Sequence, residues 1–153
     1  MGSRMSSGDT SVIRSNKRII AAAIMAIAGF ADAAYLSVKH IYNSDVGCLI
    51  AEGCDAVLNS EYATIMGVPL SFLGVVFYTV VLMLLAAYLL YQGPLLYHAI
   101  KIVVIIGFIF SIYLLHLQLF VLYALCSWCL FSAAMTIGLT VAFLGSYRPD
   151  ETP

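Results

Sequence analysis

Residues 68–91 read VPLSFLGVVFYTVVLMLLAAYLLY, a run without one charged side chain that stops at Gln92-Gly93-Pro94. A helix needs about 20 mostly apolar residues to cross the hydrocarbon core of a bilayer. This run is long enough, and it is continuous rather than alternating, so it reads as a membrane-spanning helix and not as a barrel strand. The Gly-Pro pair supplies a tight break after it. Three other stretches read the same way: Ile19 to Ile41 before it, most of Leu95 to Leu119, and Cys126 to Gly145 after it. The 31 residues between Pro94 and Cys126 exceed what one crossing requires, so the third helix is tilted or ends in a short extramembrane stretch near Tyr123. The expected fold class is all-α: an integral membrane four-helix bundle, with an extracytoplasmic loop between its first and second helices.

Composition bounds the function. Of 153 residues, 63% are apolar and 10% charged, and the mean hydropathy is +1.01. Too few polar side chains remain to cover a water-exposed surface. The net charge of −1 gives no basic face for nucleic acid. The apolar run from Ile19 to Val38, about 20 residues, is longer than a signal-peptide core and reads as an anchor. The organisation expected is a disordered cytoplasmic tail over 1–15, with Met1 to Arg4 as a tag remnant before Met5, a membrane domain over 16–147 and a cytoplasmic tail over 148–153.

Positive charge sets the orientation. Arg4, Arg14, Lys17 and Arg18 precede the first span, Lys101 lies near the second-to-third turn and Arg148 follows the fourth, whereas Lys39 stands alone on the other side. The excess places both termini in the cytoplasm. The loop from Tyr42 to Gly67, with Asp45, Glu52, Asp55 and Glu61 and no Lys or Arg, then faces outward. Its acidity reads as a solvated surface. Within it, Cys54 to Thr64 offers Ala56, Val57, Leu58 and Tyr62 as one apolar side, which predicts a short helix lying over the bundle.

All four cysteines, Cys48, Cys54, Cys126 and Cys129, fall on that outer, oxidising side, where disulfides persist. Cys126-Ser127-Trp128-Cys129 opens the last span. Residues three apart share a helix face at about 5 to 6 Å between Cβ atoms, within reach of a disulfide. The unpaired N–H groups and the dipole of a helix start also favour a thiolate. Cys48 and Cys54 sit in a loop beside Gly47 and Gly53, with mobility instead of fixed geometry. Structural zinc is a poor match to a C-x5-C plus C-x2-C set, one half of which starts a membrane span. No metal is expected. Inert structural disulfides compete more seriously, above all for Cys48 and Cys54, although a bridge between residues three apart closes too small a loop to constrain the unfolded chain much. Trp128 reads as an interfacial anchor.

GCLIAEGC over 47–54, NSEYATIMGVPLSFLG over 59–74 and FVLYALCSWCLFSA over 120–133 together resemble the vitamin K epoxide reductase family in its quinone-reducing prokaryotic branch. The likeness covers nearly all of Ile19 to Gly145. It implies a bundle that holds a quinone, ubiquinone or menaquinone, as electron acceptor. Cys129 then stands next to the quinone ring, with Cys126 as its redox partner. The loop pair shuttles electrons: Cys48 takes them from a thioredoxin-like protein, and Cys54 attacks the Cys126–Cys129 disulfide to give a Cys54–Cys126 intermediate. Ser60, six residues after Cys54, corresponds to the family's hydroxyl near the active cysteines. Many bacterial members continue into a thioredoxin-like domain after the last helix; this chain stops at Pro153, so a separate partner chain is expected. Where vertebrate members carry a tyrosine shortly after the C-x-x-C, this sequence has Leu130, Phe131, Ser132 and Ala133, which argues against epoxide reduction. The alternatives are an epoxide or quinone reductase driven by lumenal thiols, and a non-enzymatic multi-pass protein with fixed disulfides.

Four residues stand out as quinone-pocket candidates. Asp32 is an ionisable group inside an apolar span, which costs roughly 2.5 to 3.5 kcal/mol at the bilayer centre on insertion scales. Its place about 10 Å from the outer end of its helix softens that cost. His116 is chemically suited to proton transfer, though a histidine hydrogen-bonded within the bundle competes. Phe110 and Tyr113 complete the set, against the commoner packing or belt role of membrane aromatics.

Overall fold

Helix α1 runs from Ser7 to Ile41, followed by α2 (Cys54–Leu58), a 3-10 turn (Glu61–Ala63), β1 (Thr64–Ile65), β2 (Val68–Pro69), α3 (Leu70–Tyr91), α4 (Pro94–His116), a π turn (Leu117–Val121) and α5 (Ser127–Leu144). The structure, a computed structural model, describes residues 7–42, 47 and 53–145, with side chains from Lys17 onward. Cys48, Asp45 and Glu52 lie outside the described residues, as does the 148–153 tail. Four stretches are long and apolar enough to cross a membrane: Lys17–Ile41, Leu70–Tyr91, Pro94–Val121 and Ser127–Leu144. The chain is thus an all-α, multi-pass membrane bundle. The spans expected from sequence match these to within a few residues. At the N-terminus α1 continues back to Ser7. A helix already nucleated by an apolar span adds residues cheaply, one hydrogen bond for each residue fixed.

Local chemistry punctuates the chain. Gln92, left-handed at φ 48°, ends α3 with its N–H on the Tyr88 carbonyl at 2.8 Å. Pro94 starts α4 at a position where a missing N–H costs nothing. Met66 and Gly67, at φ 53° and 80°, form the tight turn that pairs β1 with β2, Ile65 opposite Val68. This small hairpin delivers the chain from α2 to the start of α3.

Helix α1 packs against α3 and α5, and α4 packs against α5 and α3. The core comprises Ala22, Ala26 and Ala33 of α1, Tyr78, Val81 and Leu85 of α3, Ile100 and Val104 of α4, and Leu139 and Phe143 of α5. In lipid the hydrophobic effect does not drive helices together, so small residues that let backbones approach carry the packing. Gly29 lies under the Tyr78 ring, and Gly74 faces the Ala33 methyl group. Large apolar side chains such as Ile24, Val76, Met83, Ile106 and Val141 point outward, where acyl chains solvate them. A polar tie joins α3 to α5. The Tyr78 hydroxyl donates to the Ser132 carbonyl at 2.9 Å and sits 3.0 Å from Ser132 Oγ and 3.1 Å from Thr136 Oγ1.

The packing of Gly29 yields a test. A Cβ at position 29 overlaps a ring pinned by these bonds, whereas one at Gly138 meets the thioether end of Met25, which can swing aside. Gly29→Ala is expected to cost about 1–3 kcal/mol and Gly138→Ala clearly less, read as a larger drop in thermal midpoint in detergent micelles for the first variant. Equal drops would show that Tyr78 yields as easily as Met25.

Candidate active site

The site forms at the end of the bundle where α1 finishes, α3 starts and α4 hands over to α5. The backbone leaves helical geometry after the π turn, passes Tyr123 at φ 47°, and re-enters a helix at Ser127 with Cys126 as N-cap. Cys126 is 0% exposed, so its own N–H needs a protein partner. Gln118, itself buried, accepts the Cys126 N–H on Oε1 at 3.0 Å, and its carbonyl accepts the Ala124 N–H at 3.2 Å. Cys126 Sγ in turn accepts the Cys129 N–H at 3.4 Å. The π turn places Gln118 for this work, in keeping with the habit of such bulges to sit at functional sites.

Cys126 and Cys129 are free thiols. The Cys126 thiol is held below its ordinary range, first by the hydrogen bond from the Cys129 thiol and then by the backbone N–H groups of Cys129 and Trp128, against the opposing effect of burial. Cys54, the first residue of α2, is disulfide-bonded. It shares one buried cluster with Val57 and Cys126, and Leu122, Ala124, Trp128 and Cys129 pack around it. Gly53 makes this approach possible: a Cβ there would come within 2.8 Å of the backbone N and O of Leu125. Trp128 is more than an interfacial anchor. Its indole N–H donates to the Gly47 carbonyl at 3.1 Å, and its ring lies 5.0 Å from that of Tyr35, so it ties the loop to α1 and α5.

The expected sites fall into two groups. Cys54, Ser60, Cys126 and Cys129 meet at this end of the bundle. Ser60 donates to the Val57 carbonyl at 2.7 Å and, with Cys129, Val57, Leu114, Leu117 and Gln118, lines a mostly apolar cavity under α2. Phe110, Tyr113 and His116 are not among its lining residues. Tyr113 is half exposed, and exposed His116 stacks on Phe120 at 4.8 Å; Leu114 of α4 with Leu117 and Gln118 of the π turn line the cavity instead. Asp32 is buried to 4% exposure within the bundle and also lies apart from the cavity wall. Sequence reasoning missed Gln118 and the Tyr78–Ser132–Thr136 tie. A glutamine near the end of an apolar helix, eight residues before Cys126, was the available signal for the first.

These features define a class: a multi-pass membrane protein with a reduced dithiol at the buried start of one helix and a second, disulfide-bonded cysteine packed against it. Residues 20–144 match the vitamin K epoxide reductase family, and the chain belongs to that family. A stretch of 51 residues is 49% identical to the thiol-disulfide oxidoreductase LTO1 of Arabidopsis thaliana, covering 33% of this chain and 14% of that protein. The chain thus aligns with a small part of that relative's length.

The hydrogen bond across the thiol pair predicts a pH dependence. Because the Cys129 S–H lowers the Cys126 titration, Cys129→Ala should move it to higher pH, and Cys129→Ser, which keeps a donor, should move it less. Thiolate ultraviolet absorbance, taken as the difference from a Cys126→Ala reference, reads the shift. A midpoint unmoved by Cys129→Ala would remove the hydrogen bond as the cause.

Proposed function

We propose that this protein oxidises thiols of a thioredoxin-like partner on the extracytoplasmic side of the cytoplasmic membrane, with both of its termini in the cytoplasm, and passes the electrons to a membrane quinone. The observation that carries this reading is the buried contact between the two cysteine systems: disulfide-bonded Cys54 in one cluster with Cys126, next to a reduced Cys126–Cys129 pair. That combination is the state expected just after electrons have moved inward from the loop to the C-x-x-C.

The cycle follows thiol-exchange chemistry. Reduced Cys54 attacks Cys126 of the Cys126–Cys129 disulfide, Cys129 leaves as the thiol, and a Cys54–Cys126 bond forms. Cys48 then attacks Cys54 and releases Cys126. A leaving thiol departs faster as its pKa falls, so the lowered titration of Cys126 favours this release. Cys48 and Cys54 are left as a disulfide able to accept electrons from the partner's dithiol. Ser60, at the end of the lid formed by α2, holds that lid through Val57.

The cavity beside Cys129 suits a quinone ring in its chemistry: apolar walls from Leu114, Leu117 and Val57 with a few polar groups, Gln118 and Ser60 among them. A bound quinone supplies the two-electron sink that reoxidises the pair. The protein's share is placement, exclusion of water and the balance of thiol acidity.

Cys129→Ser gives the decisive test. The variant is expected to accumulate a Cys54–Cys126 mixed disulfide, identified as a cross-linked peptide by mass spectrometry after thiol blocking, and to form no quinol from a reduced thioredoxin-like substrate. Undiminished quinol formation would overturn the electron path.

A further inference from the structure

Asp32 has no role in the scheme above, yet among the described residues it is a buried carboxyl, 4% exposed, with no hydrogen-bond partner on either oxygen. An ionised carboxylate in that position would lack both solvent and counter-ion, which an apolar interior penalises heavily. Stability alone favours replacing it. Its surroundings are also specific. The residue lies one turn after Gly29, whose Cα faces the Tyr78 ring, and about 13 Å below the end of α1 at 1.5 Å per residue. Electrostatically it reaches three groups on the elements packed against α1: Tyr78 of α3, Cys129 of α5 and Cys126 at the start of α5. No Lys or Arg of α3 or α5 faces it, since neither helix contains one.

We propose that Asp32 is the internal proton carrier of the Cys126–Cys129 pair, resting as the neutral acid and passing one proton per turnover from the thiols to the electron acceptor. The inference rests on the quinone reading given above. Oxidation of the pair breaks two S–H bonds, forms one S–S bond and releases two electrons and two protons. Both electrons reduce the quinone to the quinol. One thiol proton passes to Asp32, set behind Cys129 and not in the cavity wall, as the carboxyl's own proton leaves toward the acceptor; with the second thiol proton, both quinone oxygens end protonated. The carboxyl ends each cycle as it began, and no net charge is left in the membrane. Burial without partners, unfavourable for a structural carboxylate, suits a group that must hold a proton and surrender it. The Tyr78 hydroxyl, already bonded to Ser132 and Thr136, is committed elsewhere and leaves the task to Asp32.

The test uses the full chain in detergent or lipid, with Asp32→Asn and Asp32→Glu. In reduced, quinone-free protein at neutral pH, infrared spectroscopy should show a protonated carboxyl band that Asp32→Asn abolishes and Asp32→Glu keeps at a shifted position. With a soluble quinone, Asp32→Asn should slow quinol formation about a hundredfold, within the range for loss of a positioned proton donor, and flatten its pH profile. Asp32→Glu should recover most of the rate. A structural carboxyl would be replaced by asparagine without a change in the pH profile. Wild-type rate and pH profile in Asp32→Asn, or no protonated carboxyl band in the reduced wild type, would overturn the proposal. Failure of the quinone reading looks different: the wild type forms no quinol, yet the Asp32 band still shifts when diamide oxidises the thiol pair.

Discussion

The buried start of α5 is the constraint around which the site is organised. A helix must leave its first N–H groups without intrahelical partners, and in most proteins water or a hydroxyl side chain meets them. Here the N-cap, Cys126, is fully buried. Gln118 takes one N–H and the Cys126 sulfur takes another, so the atoms that satisfy the backbone are also the atoms that hold the reactive thiol. Loss of either contact would leave a buried donor unpaired, a cost of about 1–3 kcal/mol, and would free the cysteine to rotate away from Cys54. Structure and reactivity therefore share the same two hydrogen bonds.

The π turn serves that arrangement. An ordinary continuation of α4 would rotate Gln118 to a different face and shorten the path to Cys126. One widened turn followed by five non-helical residues, Leu122 to Cys126, lets the glutamine reach across to the next helix. The rest of the bundle is plainer. Glycine and alanine contacts bring α1 close to α3 and α5, and a single tyrosine hydroxyl locks α3 to α5 at mid-depth. Rigid helices at this depth give Cys54 a fixed target.

The spans were legible because each is a long apolar run ended by charge, Gly-Pro or a loop, and periodicity matters little when lipid surrounds every helix. The C-x-x-C at a helix start was legible for the same reason: its position relative to the apolar run is a matter of counting. The lid was foreseen from Ala56, Val57, Leu58 and Tyr62, though only Cys54–Leu58 is α-helical before the 3-10 turn takes over. What sequence did not reveal depends on which way a helix faces. Tyr113 and His116 were chosen by chemistry, but α4 directs them outward, and in an all-apolar helix no polar stripe marks the inner face. Gln118 was overlooked because its partner is a backbone N–H, and such partners leave no trace in composition.

Gly53 and Leu125 immediately precede the two cysteines, Cys54 and Cys126, and their main chains touch. The spacing between the sulfur-bearing segments is therefore fixed by bare backbone, the closest approach two polypeptides can make, and not by side chains that repack from one homologue to the next. A single added carbon at this glycine would act as a wedge between donor and acceptor halves. The smallest residue in the chain thus works as the gauge that sets whether sulfur exchange between the loop and the membrane helix can occur at all.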